Sequence, residues 1–270
     1  MLSSQTNHQN MQVRHNDRRM YFDELAQTCQ EFFIPYILQF KKIDASSRIL
    51  EIGCGDGGNL LPFSQMGCYT LGVDMAEGRI ADAKRFFKEY QVEGEFIASD
   101  VFLLTDLHHS FDIILCHDVI EHIGDKNGFL SMIPDFLAPD GVLFMSFPAW
   151  QMPFGGHQQI CRSKLMSHLP FVHLLPTSLY RGLLHLCGEK EDCINELMSI
   201  KKTRTPIELF EKTVADTPFI IKDRELYFIN PHYKTKFGLQ PRKLAEWIGK
   251  IPYLRNFFTT SCFYLLVRQQ

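Results

Sequence analysis

The sequence predicts an α/β chain: a Rossmann-like, seven-stranded, mostly parallel sheet with helices on both faces, plus a mainly helical covering insert. Three observations carry this. Short apolar runs of strand length alternate with stretches whose apolar residues fall three or four apart, a glycine cluster follows the first run, and the alternation stops after Pro148. Strands that are apolar along their whole length and separated by helices pair in parallel and are buried on both faces.

Residues 1–17 are polar and turn-rich and read as a disordered tail. Over 18–42, RRMYFDELAQTCQEFFIPYILQFKK has helical spacing, which Pro35 should kink or divide. SRILEI (47–52) is the first strand; glycines run to Gly58, and a helix opens at Asn59. YTLGVD (69–74) is the second strand, MAEGRIADAKRFFKEY (75–90) an amphipathic helix, GEFIASD (94–100) the third strand and FDIILCH (111–117) the fourth. VIEHIGDKNGFLSMIPDFLA (119–138) reads as helix in two pieces, and GVLFMSF (141–147) as the fifth strand. Together these form a nucleoside-type domain over 18–150. Residues 151–204 carry short amphipathic pieces and form the helical insert, and 205–270 complete the sheet. In that last part PIELFEKTVADTPF (206–219) is helical, with Thr205 as a candidate cap. ELYFIN (225–230) and FTTSCFYLLVR (258–268) are strands, and the text between them is a surface excursion.

Composition narrows the function. A net charge of −3 gives no bulk attraction to polynucleotide phosphates, so no nucleic-acid partner is expected. The 23 phenylalanines exceed what an ordinary core calls for and suggest an apolar or aromatic ligand pocket. Eight cysteines, Cys29, Cys54, Cys68, Cys116, Cys161, Cys187, Cys193 and Cys262, include no CxxC pair and read as buried thiols in a reducing compartment. The opening MLSSQTNHQNMQVRHNDRR has no apolar run of a secretory signal, and no stretch approaches the ~20 apolar residues of a membrane span. A cytoplasmic location follows as the expectation, with the oligomeric state left open.

The most informative passage is ILEIGCGDGGNL. Gly53, Gly55, Gly57 and Gly58 lie between strand and helix, where missing Cβ atoms permit positive φ and let backbone amides approach a ligand. Asp74, at the end of the second strand, is placed to accept hydrogen bonds from ribose hydroxyls. Dinucleotide and adenosylmethionine sites share both features, so these residues define a nucleoside site and no more.

Five ordered motifs then resemble the class I S-adenosylmethionine-dependent methyltransferases: LEIGCGDG, GVDMAEG, IASDVF, FDIILCHDVIEHI and APDGVLFMSFP. The resemblance covers about residues 20–150, continues weakly over 205–230 and 258–268, and implies that the last segment supplies a seventh, antiparallel strand. It implies S-adenosylmethionine as cofactor, with Glu51, Gly53, Cys54, Gly55 and Gly57 around the first turn. Asp74 would hold the ribose and Met75 would flank the adenine. Asp100 would sit near the adenine amino group with Val101 beside the ring, and His117 and Asp118 would line the methionine half. A sulfonium cofactor carries no phosphate, and its amino-acid end wants polar backbone and a carboxylate, which Glu51 and the His117–Asp118 corner offer.

Methyl transfer is an in-line displacement, so the remaining chemical need is a base when the acceptor is a hydroxyl or a protonated amine. Glu121, His122 and His157 are the candidate catalytic residues. Asp118, Glu121 and His122, at i, i+3 and i+4, would share a helical face, and with His157 they form a candidate site for a divalent metal. The arrangement resembles the E-x-x-E-H plus later His of ubiquinone-pathway O-methyltransferases and small-RNA 2′-O-methyltransferases, with Asp118 in place of the first Glu. Against the metal stand a metal-free base at His122 or His157, and a purely structural role for all four. His108, His109, His168, His173, His185 and His232 read as surface or packing residues. Lys201, Lys202 and Arg204 read as a solvated helix end. The aromatic helix with Tyr21, Phe22, Phe32, Phe33 and Tyr36, and the stretch from Trp150 to Tyr180, are either a lid or ordinary core. The function implied is methyl transfer to a small, apolar or aromatic acceptor, at O rather than N or C. An RNA or protein methyltransferase and a non-catalytic interaction module that keeps the fold are the alternatives.

Overall fold

In the computed structural model, which describes residues 17–104, 107 and 111–269, the chain divides into two units. One comprises the residues through His117 with Asp135–Phe144 and Pro231–Gln240; the other comprises Asp118–Pro134, Met145–Asn230 and Pro241–Gln270. The tail expected over 1–17, apart from Asp17, lies outside the described residues, as do His108 and His109.

In the first unit, the Asp17 side chain accepts from the Met20 amide and caps α1 (Arg18–Thr28), satisfying one of the open amides of its first turn. The helix is divided just ahead of Pro35, as expected. A π-helical stretch, Cys29–Phe33, precedes α2 (Ile34–Ile37), and Pro35 falls in the first turn of α2, where its missing N–H costs little. β1 (Arg48–Ile52) pairs in parallel with β2 (Tyr69–Asp74) and β4 (Phe111–His117), and β2 pairs in parallel with β3 (Glu95–Ala98). After β1 the chain forms a 3-10 turn, Gly58–Leu60, before α3 (Leu61–Gln65), and α4 (Glu77–Glu89) follows β2. Gly58 is dictated by α1: a Cβ there would lie 2.6 Å from the Phe22 carbonyl oxygen and 2.8 Å from Leu25 Cβ. Phe22 in turn packs its ring on Phe86 and Tyr90, with centroids 4.9 and 5.7 Å away. Arg18 pairs with Asp82, and Arg19 with Glu89.

The second unit begins with a 3-10 turn, Ile120–His122, and α5 (Lys126–Met132). β5 (Leu137–Phe147) starts four residues before the expected strand and contributes to both units. α6 (Lys164–His168), α7 (Thr177–Leu186) and α8 (Glu191–Thr203) lie within residues 151–204. Their core joins Met166, Val172, Tyr180, Leu184, Ile194 and Leu197. α9 (Ile207–Ala215) is not capped by Thr205, whose hydroxyl donates to the Ile120 and Thr203 carbonyls. The side chain of Asn256 takes that role by accepting from the Ile207 amide at 2.8 Å, a partner 49 residues away that local sequence does not reveal. Glu208 then accepts from the Tyr253 amide, Arg255 and Asn256.

β6 (Phe219–Ile229) pairs antiparallel with β7 (Arg242–Lys243) and with β8 (Ser261–Arg268), so the C-terminal segment does supply an antiparallel strand. Hydrogen bonding orders the strands β3-β2-β1-β4-β5-β8-β6-β7. Among the described residues the count is therefore eight rather than seven. The extra strand has two residues and lies inside the expected surface excursion, too short for any alternation to announce it. Among the described residues no helix is long and apolar enough to cross a membrane.

Candidate functional site

The turn after β1 is built for close approach. Gly53, Gly55 and Gly57 have φ of 71°, 53° and 84°, a region costly for residues with a Cβ. The amides of Gly53 and Cys54 donate to the Val73 carbonyl at 2.8 and 3.0 Å, fastening the turn to β2. Asp74, ending β2, accepts from the Gly55 amide at 2.9 Å and from the Ala76 amide at 2.8 Å, so one carboxylate fixes both loops. Cys54 is buried. Asp100 accepts from the Phe102 amide at 3.0 Å, Val101 is buried, and Met75 is 74% exposed.

Glu51 is 1% exposed. One oxygen accepts from Asn59 Nδ2 at 2.7 Å, and the other has no hydrogen-bond partner. Burial pushes its carboxyl up to about 8, against the hydrogen bond from Asn59, which acts in the opposite sense. Asn59 Nδ2 also lies 3.4 Å from His117 Nδ1, and the Phe33 ring packs against His117 at 5.1 Å. Asn59 Oδ1 is buried without a partner. Sequence reasoning took Asn59 only as a helix start; an amide inside the apolar run GNLLPF was the signal for more. Asp56 is a second residue it passed over: it is buried, with Arg18 4.0 Å away and its carboxyl raised by burial.

In the second unit the expected helical face over 118–122 does not form. Asp118 has φ of 53° and its amide donates to the Ser146 carbonyl at 2.8 Å, after which the chain makes the 3-10 turn. That geometry abolishes the i, i+3, i+4 alignment of an α-helix. The side chains of Glu121, His122 and His157 nonetheless converge, each offering a donor atom within 4.8 Å of the others; Asp118 is not one of the group, which corrects its assignment as a metal ligand. Glu121 is 3% exposed, neither carboxylate oxygen has a hydrogen-bond partner, and His157 Nε2 lies 3.9 Å away. The His122 and His157 rings meet edge to face at 5.4 Å. Burial, reinforced by the charge of Asp118, raises the Glu121 carboxyl well above the usual range. Burial together with His122 lowers His157 to about 4, and burial lowers His122. All three shifts favour the uncharged forms, and the two imidazoles and the carboxyl are a set able to take up a proton or, with the carboxyl ionised, to ligate a divalent cation.

The turn is held from α8 and α5. Thr203 Oγ1 donates to the Glu121 carbonyl at 2.6 Å; Lys126 Nζ donates to the Ile123 carbonyl at 2.6 Å and to the Thr203 carbonyl. Burial brings the Lys126 ammonium down to about 8. Lys201 is not a solvated helix end as expected. It is buried and donates to the His173 and Leu175 carbonyls at 2.6 and 2.8 Å, because α8 carries it inward. His173 is a packing residue, 2.8 Å from the Trp150 carbonyl and edge-on to the indole.

A parallel sheet whose first strand runs into a glycine turn, with an acid ending the neighbouring strand, is the nucleoside-binding frame of Rossmann-like folds. The family profile described as "Methyltransferase domain" matches residues 18–170. The chain belongs to this family, and within it to the class I S-adenosylmethionine-dependent methyltransferases. It is 32% identical over 120 residues to a ubiquinone biosynthesis O-methyltransferase of Bartonella quintana (strain Toulouse), a match covering 43% of this chain and 49% of the relative. The chain thus spans about half the length of the curated relatives it matches. The fold is shared with magnesium protoporphyrin IX methyltransferase of Synechocystis PCC 6803, solved with bound SAH, at 15% identity over 91% of this chain and 83% of that one, TM-score 0.54. It is shared also with a putative sarcosine dimethylglycine methyltransferase of Galdieria sulphuraria, at 12% identity over 89% and 84%, TM-score 0.58.

Proposed function

We propose that this protein transfers a methyl group from S-adenosylmethionine to a small apolar or aromatic acceptor, at oxygen in preference to nitrogen or carbon. The observation that carries the cofactor reading is the unpartnered Glu51 oxygen beside the glycine turn. A buried carboxyl there can give up its proton beside an ammonium or sulfonium and so suits a cation, whereas a diphosphate would hold it protonated and gain no charge pairing from it. Asn59 Oδ1, equally unpartnered, adds a second acceptor. The bound cofactor supplies an electrophilic methyl carbon on a cationic sulfur. Asp74 would accept the ribose hydroxyls while tethered to Gly55 and Ala76, with Asp100, Val101 and Met75 at the base and His117 and Asp118 toward the amino-acid end. Gly53, Cys54, Gly55 and Gly57 present backbone.

For the acceptor, His157, neutral at physiological pH, would take the hydroxyl proton, with Glu121 and His122 orienting its ring. A second reading is favoured by the two unsatisfied Glu121 oxygens: Glu121, His122 and His157 would hold a divalent cation that lowers the acceptor's pKa. Oxygen as the acceptor atom is in keeping with the similarity to ubiquinone biosynthesis O-methyltransferases. All eight cysteines are free, in keeping with a reducing, cytoplasmic setting.

Calorimetry of the full chain with S-adenosylmethionine, S-adenosylhomocysteine and NAD tests the cofactor reading. Binding of the first two and not the third is expected; preference for NAD overturns it, and silence toward all three favours a non-catalytic module. Activity before and after chelation separates the base from the metal: a fully active metal-stripped enzyme ends the second reading. An RNA or protein acceptor would show as turnover on those polymers, against the small-molecule class proposed.

A further inference from the structure

A cluster of different chemistry lies among α6, α7 and α8. Cys161 closes the 3-10 turn Gln158–Ile160, Glu189 follows α7, and Cys193 sits in the first turn of α8. Two sulfurs and a carboxylate oxygen lie within 4.8 Å of one another. Cys161 and Glu189 are buried and Cys193 is half-buried. Cys187, ending α7, is near enough to act electrostatically on Cys161. Gly188, at φ of 77°, turns the chain so that residues 187 and 189 lead directly into α8.

Glu189 is fixed in place. One oxygen accepts from the Ser163 amide at 2.8 Å and the other from the Arg162 amide at 3.0 Å, so the carboxylate is oriented before any ligand arrives. Each oxygen has a second lone pair, and the Cys193 thiol already hydrogen-bonds to this carboxylate, on the side a metal would enter. The charged groups acting on the two thiols are Glu189 and Glu196, both acidic, a field that draws in a cation. Two sulfurs with one carboxylate, from three separate chain segments, is a donor set for a borderline-soft metal rather than for magnesium or calcium.

The geometry points to a zinc-type site in which Cys161 Sγ, Cys193 Sγ and the Glu189 carboxylate hold one divalent cation, with Cys187 or water at the fourth position. Tetrahedral zinc with Zn–S bonds of ~2.3 Å needs donors about 3.8 Å apart. The three donor atoms already lie within 4.8 Å of one another, so each separation has at most about 1 Å to close. On binding, both thiols release their protons to solvent as two metal–sulfur bonds form, with no change of oxidation state. The metal would clamp the Cys161 turn to the start of α8 and brace the core around Tyr180, Leu184 and Ile194. It would act apart from Glu121, His122 and His157, which hold no sulfur.

The test uses the full chain, reduced and stripped by a chelator, then titrated with Co²⁺. One equivalent showing a near-ultraviolet thiolate-to-cobalt charge-transfer band, bleached by Zn²⁺, is expected. Zn²⁺ should also protect two thiols of the wild-type protein from alkylation, mapped to Cys161 and Cys193. The double variant Cys161→Ser with Cys193→Ser should lose the band, and Glu121→Gln with His157→Gln should keep it. No band in the wild-type protein, a band that survives the cysteine double variant, or a Cys161–Cys193 disulfide in protein isolated under reducing conditions overturns the proposal. If the cysteine variant does not fold, the wild-type band and the mapped protection decide.

Discussion

Replacing Glu51 by Gln removes an ionisation while leaving an oxygen for Asn59 Nδ2, which lies 2.7 Å from the present carboxyl. In the folded protein that carboxyl stays neutral up to about 8, against an ordinary value of 4.5. The folded state therefore holds a proton that the unfolded chain has given up, and the stability fully present below 4.5 is lost as pH rises to about 8. At about 1.4 kcal/mol per pH unit the gap sets a ceiling of roughly 5 kcal/mol, and relaxation of the site brings the expected loss to roughly 2–5 kcal/mol. Urea unfolding of cofactor-free wild type and Glu51→Gln, followed by circular dichroism from pH 5 to pH 8.5, reads this directly. The wild-type midpoint should fall more steeply with pH than that of the variant, which keeps the slope contributed by Glu121. Parallel profiles would refute the reasoning, because they would mean that Glu51 ionises in the fold as it does in the chain.

The same residue links protons to the cofactor. At pH 7, binding of S-adenosylmethionine should release close to one proton from the wild type and none from Glu51→Gln, seen as a buffer-dependent heat in calorimetry. Gly58→Ala should lower stability by about 1–3 kcal/mol, since the new methyl meets the Phe22 carbonyl at 2.6 Å and helix backbone yields poorly; thermal melts check it. Asp74→Ala should weaken cofactor binding by about tenfold or more, each factor of ten being about 1.4 kcal/mol, through loss of ribose contacts and of the tethers to Gly55 and Ala76. Lys126→Met should free the Ile123 and Thr203 carbonyls and slacken the turn that carries Glu121 and His122. A kcat lowered by about tenfold with cofactor Kd unmoved is the expected signature of such misplacement; equal losses in both would point to general unfolding.

The first half of the sheet was legible because parallel strands leave contiguous apolar runs and a glycine turn leaves its spacing in the text. Glu51, Gly55 and Asp74 come together for that reason. Features that depend on distant partners were not legible. Asn256 replaces Thr205 as the cap of α9 from 49 residues away, and Lys201 is buried because the carbonyls it serves belong to residues 173 and 175. The helical face over 118–122 failed for a local reason: residue spacing carries no record of a positive φ, and a single such residue resets the direction of all that follow. Glu121, His122 and His157 still met, since the pairing of the two later residues with His157 did not depend on the helix. A two-residue strand such as β7 is below the length at which any periodicity exists.

The left-handed backbone at Asp118 also acts as a filter on descent. Asp, Asn and Gly are admitted there with little penalty, while valine or isoleucine would be purged whether or not a ligand ever reached the position. Across related genomes, exchange among those three tolerated types would be silent for the turn. An invariant aspartate would then be the mark of chemistry, and a mixture of the three the mark of sterics alone.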